Sequence, residues 1–245
     1  MRKFFLILMV LTAQLTFANE HEQTDDDTWH FDITHYIWAM GTDGDVTIRG
    51  VESDSDTDFC DIMDDFKFNI NLHYELQRKR FGLFGDTSIL WLEDEADTLI
   101  GETDVDSELG IFDLGAMYSI IRRPDDDMKV DLLAGVRYFR VKTDIEFDNG
   151  IDFDGSQDWF DPFIGSRLFT RFNENWVFNI QSDIGGFSLG SDFTWNLNTM
   201  LGYEFNDTYS LWLGYRWLDI DIDKGDSFKY DATISGPTLV SVFRF

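Results

Sequence analysis

Ionisable residues recur along this chain between apolar neighbours at every second position: Asp86, Asp113, Asp131, Asp161, Asp183 and Glu204, with Lys67, Arg137, Arg167, Arg171 and Arg216. Residues of both signs in that setting can do one of two things. In a shared interior they pair, because an unpaired buried charge is costly. Along a water-filled path they form a constriction that sorts solutes by charge. Spacing alone leaves both open.

Catalytic chemistry is poorly supplied. The histidines are His21, His30, His35 and His73, and no Gly-x-Ser-x-Gly stretch occurs to set a serine on a nucleophile elbow. His73 and Glu75 share one face of an extended strand, yet no nucleophile accompanies them, so they fit a polar network better than an active site. Asp219, Asp221 and Asp223 of LDIDID also share a face and are weak candidates for a divalent cation, since hard cations take clustered carboxylate oxygens. The twelve-residue calcium loop, with its central Gly and final Glu, is absent. No cofactor is implied.

The elements that must carry these residues have a period of two. In DFTWNLNTMLGYEF, Phe193, Trp195, Leu197, Leu201, Tyr203 and Phe205 oppose Asp192, Thr194, Asn196, Asn198 and Glu204, the alternation of a strand with one apolar and one polar face. The same alternation recurs in FKFNINLHYELQ, FGLFGDTSILWL, LLAGVRYF and LWLGYRW. The apolar stretches run to about 9–12 residues, enough for a tilted strand to cross a bilayer. Trp29, Trp91, Trp176, Tyr203, Phe205, Tyr209 and Trp217 fall near strand ends, where aromatic girdles meet the two interfaces.

Charge and targeting agree. Arg2 and Lys3, an apolar run and Thr16-Phe17-Ala18 read as a signal peptide over residues 1–18, leaving 19–245 as one barrel domain. The formal net charge of −28 argues against a nucleic-acid partner. An aromatic content of 16% argues against disorder. The single cysteine, Cys60, has no disulfide partner within the chain.

Connections alternate between short (RKR, RRPDDDM, RFNEN, FNDTY) and long and acidic (EDEADTLIGETDVDSE, DIEFDNGIDFDGSQD, DIDKGDSFKYD). Short periplasmic turns and long outer loops are the outer-membrane arrangement. The expectation is an all-β, transmembrane, antiparallel up-and-down β-barrel of about ten strands, with twelve or eight as alternatives. Residues 41–65 form an outer excursion, a hairpin or a plug. SGPTLVSVFRF, ending on Phe245, is the aromatic-terminated strand expected to engage the barrel-assembly machinery.

HYIWAMGTDGDVTIRG, DWFDPFIGSR, DIGGFSLGSDFTWN, LGYRWLDIDID and YDATISGPTLVSVFRF resemble a group of little-characterised outer-membrane β-barrel proteins of Gram-negative bacteria, porin-like or OmpA-like. The resemblance covers nearly the whole chain after the signal region. It implies an outer-membrane location and a barrel fold, with membrane lipid and lipopolysaccharide as surroundings; the acidic loops themselves suit weak divalent cations that bridge lipopolysaccharide phosphates. Two functions follow as expectations: a narrow channel for small solutes, or a closed barrel acting through its loops. A lipid-modifying enzyme is the remaining alternative and lacks a nucleophile.

Overall fold

The computed structural model describes residues 27–48, 51–57, 66–98, 101–123, 127–147, 152–206, 208–225 and 228–243. Residues 1–18, Cys60 and Phe245 lie outside that range. The strands are β1 (His30–Trp38), β2 (Gly41–Ile48), β3 (Val51–Thr57), β4 (Phe66–Arg78), β5 (Phe81–Thr98) and β6 (Gly101–Arg123). They continue as β7 (Met128–Phe147), β8 (Asp152–Arg171), β9 (Trp176–Gly185), β10 (Phe193–Glu204), β11 (Tyr209–Asp223) and β12 (Phe228–Phe243).

Antiparallel pairing runs from β1 to β4 and then in order to β12, and β12 pairs with β1, so the sheet closes as a ten-strand barrel. β2 and β3 add no crossing. β12 pairs with β1 through Thr238–Val240 and with β2 through Phe228–Ser235 in one unbroken register. β1 and β2 are therefore one rising stave, interrupted at Ala39 and Met40. The break lies opposite Gly236 and Pro237. Pro237 has no N–H to donate, and it accepts the Ala39 N–H at 3.0 Å.

Followed from His30 through Gln77, Gly82, Met117 and onward to Leu218 and Ile234, the register returns to the first stave at Thr42. That stagger of about twelve residues tilts the staves by roughly 35–45°. Stretches expected as long acidic loops are instead strand: β5 and β6 stay paired out to Thr98 and Gly101, and β7 and β8 out to Glu146 and Asp152. At ~3.3 Å per residue such staves greatly exceed the ~25 Å apolar band of an outer-membrane barrel, so the wall continues well above it.

The two faces sort by side chain. Leu114, Leu132, Ile164, Phe160, Leu201 and Leu213 are exposed on the outside of the closed wall. Asp113, Asp131, Arg137, Asp161, Asp183 and Arg216 are buried inside it. Apolar out and polar in is the inverse of a soluble protein and the pattern of a membrane-spanning barrel. At the end where β9, β10 and β11 turn, Trp176, Tyr203, Phe205 and Tyr209 form a continuous row, with ring centroids 4.9, 4.9 and 5.2 Å apart. That row fits a girdle at one membrane interface, at the end of the short turns.

Gly236 is where the interrupted stave makes its closest approach. A Cβ there would meet the Ala39 carbonyl oxygen at 1.7 Å, so Gly236→Ala forces backbone apart at the seam between the last strand and the first. A loss of about 1–3 kcal/mol is expected, read as a lower urea midpoint of the folded band on unheated gels.

Candidate functional site

The interior is built from the inward positions of the staves. On β7 and β8 these are the odd-numbered residues, on β5, β10, β11 and β12 the even-numbered ones. In the membrane-spanning part they form one connected polar network. Arg137 Nε and Nη2 donate to the two carboxylate oxygens of Asp113 at 2.8 and 2.9 Å, and Nη1 and Nη2 donate to Asp183 at 3.1 and 3.2 Å. Asn196 donates to Asp183 at 2.9 Å and accepts from Arg216 Nε at 3.0 Å. Arg216 Nη1 in turn donates to Asp86 and to the Tyr36 hydroxyl, both at 3.1 Å, and Tyr36 donates to Asp86 at 2.7 Å.

The network continues downward. His73 lies 3.4 Å from Asp86 and 3.7 Å from Glu75. Arg167 donates to Glu75 at 2.7 Å and to Asp131 at 2.7 Å, while Ser119 donates to Asp131 at 2.6 Å and Lys129 stands 3.3 Å from it. Two of these links cross the bore rather than follow its wall. Arg216 on β11 reaches Asp86 on β5, and Arg167 on β8 reaches Glu75 on β4. Arg137 has no exposed surface, and its charge is offset by two carboxylates in a low-dielectric setting, where removing either partner leaves a costly orphan.

Of the eleven ionisable residues singled out, the side chain of Lys67 lies outside the described ones; the other ten lie at inward positions, but they do not form one set. Asp86, Asp113, Asp131, Arg137, Arg167, Asp183 and Arg216 share the network. Arg171 and Glu204 pair with each other at the rim beside the short turns, where Arg171 also donates to Asp127 at 2.7 Å. Asp161 stands opposite Arg137 in the β7–β8 register, but its side chain turns to the β9–β10 turn instead. It accepts the Ser191 N–H of the β9–β10 turn at 2.7 Å, and its other oxygen is buried without a partner.

Tyr36, Asn196 and Ser119 belong to the network and carry little signal in the sequence because neutral or short side chains stand beside charged ones, whereas Lys129 adjoins the turn RRPDDDM and reads as part of it. Their even or odd numbering was the available clue.

Above the network the bore is apolar. Trp38, Phe139, Trp159, Leu218, Ile220, Ile222, Phe228, Tyr230 and Ile234 form one buried cluster. Arg216 lies over the Trp38 ring at 4.4 Å and Arg137 over Phe163 at 5.0 Å, so cation–π contacts seal the polar layer to aromatic side chains. A lumen filled by paired charges alone was expected, and its upper part is hydrophobic instead. The reason lies outside the wall. Around the cluster the outward residues are Asp158, Asp219, Asp221, Asp223, Lys229 and Asp231, which face water, so the inside takes the apolar residues.

The weak cation candidates lie on that outer face. Asp219 accepts from Thr233 Oγ1 at 2.6 Å, and Asp223 pairs with Lys229 at 3.0 Å. Among the described residues no group of three or more His, Cys, Asp or Glu is placed to hold a metal.

Arg137→Met leaves Asp113 and Asp183 facing each other without a cation. A loss of about 3–5 kcal/mol is expected. Adding Asp113→Asn and Asp183→Asn to the same chain recovers most of it. Urea unfolding of the three proteins in detergent checks both parts.

No protein-family model matches the chain, and no curated protein sequence matches it. Among solved structures it is similar to the outer membrane protease OmpT from Escherichia coli, at 12% identity and a TM-score of 0.46, over 88% of this chain and 94% of that one. It is also similar to the toluene transporter TodX of P. putida, at 11% identity and a TM-score of 0.28, over 89% of this chain and 80% of that one.

Proposed function

We propose that this chain is an integral β-barrel of a bacterial outer membrane with a bore closed to the exterior, and that it works through the acidic wall it raises above the bilayer. A closed antiparallel barrel with an even number of strands and an outward apolar band suits that membrane. The observation that carries the closed reading is the apolar cluster of Trp38, Phe139, Trp159, Ile220, Phe228 and Ile234 stacked on a polar layer that spans the bore. A conducting pore needs a continuous wet path.

The raised wall favours a cationic partner. Its register sets Asp221 opposite Asp231, and Asp231 opposite Asp45. Like charges directly opposite one another across strands are destabilising, and that cost falls when a basic protein surface, or divalent ions shared with lipopolysaccharide phosphates, neutralises the row. The C-terminal strand remains the proposed contact with the assembly machinery.

The rival reading, a narrow porin-like channel, draws on the charged residues around the bore, with Arg137, Arg167 and Arg216 as its selectivity elements. Planar-bilayer recording decides between the two. The closed barrel gives no steady current when folded protein is inserted, and Trp159→Ala with Phe139→Ala raises current by opening the upper bore. Steady conductance in the unmodified protein, with an ion selectivity that shifts in Arg167→Ala or Arg216→Ala, would establish the channel instead.

A further inference from the structure

The lower half of the bore is not filled. Beneath the layer of Arg216 and Asp86 lies a partly open cavity of about 340 Å³, at the small end of the roughly 300–1,000 Å³ range of small-molecule sites. Its walls differ in chemistry. On one side His73, Asp86 and Arg167 engage one another and their neighbours. On the other, β10, β11 and β12 present Met200, Trp212, Val240 and Val242.

At the upper end two polar atoms have nothing to bond. Thr238 is 2% exposed and its hydroxyl has no hydrogen-bond partner. The Asn198 side-chain oxygen is also buried and unpartnered, and both residues line the cavity. An unsatisfied buried polar group costs about 1–3 kcal/mol. Water would satisfy both atoms while wetting the apolar wall beside them. A molecule with a hydroxyl at one end and a short hydrocarbon body satisfies the atoms and dries the wall.

The chemistry narrows the class. Asn198 offers an acceptor, which disfavours a carboxylate, and the guanidinium of Arg167 is already taken up by Glu75 and Asp131. A cationic amine at the upper end would need a counter-charge, and there Asp86 is held by Arg216 and Tyr36 and Asp113 by Arg137; Asp32, the other carboxylate of the lining, stands six residues along β1 from the Thr238 level. A neutral donor remains.

We propose that the periplasmic half of the bore binds a small amphipathic alcohol, its hydroxyl on Asn198 and Thr238 and its hydrocarbon on Met200, Trp212, Val240 and Val242. Only the direction of entry, from the periplasmic end, rests on the closed-bore reading.

The test uses the full-length barrel in nanodiscs with Cys60→Ser and a reporter thiol from Met200→Cys. Labelling by N-ethylmaleimide is timed with and without 3-phenyl-1-propanol, beside a control chain carrying the reporter as Asp221→Cys. Saturable slowing at position 200 and none at 221 is expected. Adding Asn198→Leu and Thr238→Val raises the half-protecting concentration about tenfold. A thiol at 200 that never labels, equal slowing at both positions, or protection unchanged in the double variant overturns the site. Bilayer current reports closure separately: protection with current overturns closure alone, and no protection without current overturns the binding site alone.

Discussion

Each stave of this barrel passes through two solvents, and the side chains change faces where the solvent changes. Within the bilayer the outside must be apolar, so polar groups turn inward and must satisfy one another. Above it the outside meets water, so the polar residues turn outward and the apolar ones fill the bore. β11 shows the switch in a single element. Leu211, Leu213, Tyr215 and Trp217 occupy the outward positions, and immediately afterwards Leu218, Ile220 and Ile222 occupy the inward ones. No bulge is needed, because neither the strand's register with β10 nor that with β12 slips there. The residue identities alone invert the wall.

That inversion explains why ion pairs and a hydrophobic cluster share one bore. In the lipid zone a charge has no water behind it, and the two carboxylates of Asp113 and Asp183 are tolerable only with Arg137 between them. Arg216 and Arg167 are long enough to cross to the far wall, which a ten-strand barrel allows and a wider one would not. The aromatic cluster then caps the network, and it supplies to the raised wall the burial that a soluble sheet needs.

Much of this fold was legible because a period of two survives in every stave. The up-and-down order, the inward positions of the charged residues and the aromatic row beside the short turns all followed from numbering parity and turn length. What escaped was the upper bore. Trp159 and Phe139 share the parity of Asp161 and Arg137, which marks them as inward residues, yet an aromatic beside an apolar lipid-facing strand reads as part of that face. The acidic stretches escaped for a related reason. Asp and Glu are depleted in strands, so EDEADT reads as a loop, whereas the template of an already paired hairpin below extends the ladder through it. The crossing partners Glu75 with Arg167 and Asp86 with Arg216 are separated by 92 and 130 residues, a distance no local pattern encodes.

The asymmetry of the lower bore has a cause in side-chain size. On β6 and β7 the inward positions Gly115 and Gly135 carry no side chain, and a Cβ on either would strike the Phe84 or Phe163 ring at 2.6 Å. Those glycines let the two rings lie flat against the wall, where they pack with Met117 and Leu133. That side of the barrel is therefore filled by large residues set against absent ones. Around β10 to β12 the inward residues are Met200, Trp212, Val240 and Val242, and among them the Phe169 ring of β8 approaches only Trp212, at 6.3 Å. Strand number and stagger fix the distance between the walls, and the Arg167–Glu75 and Arg216–Asp86 pairs span that distance. The volume left on the β10 to β12 side is the part of the bore that these pairs and the rings of β5 and β8 do not fill.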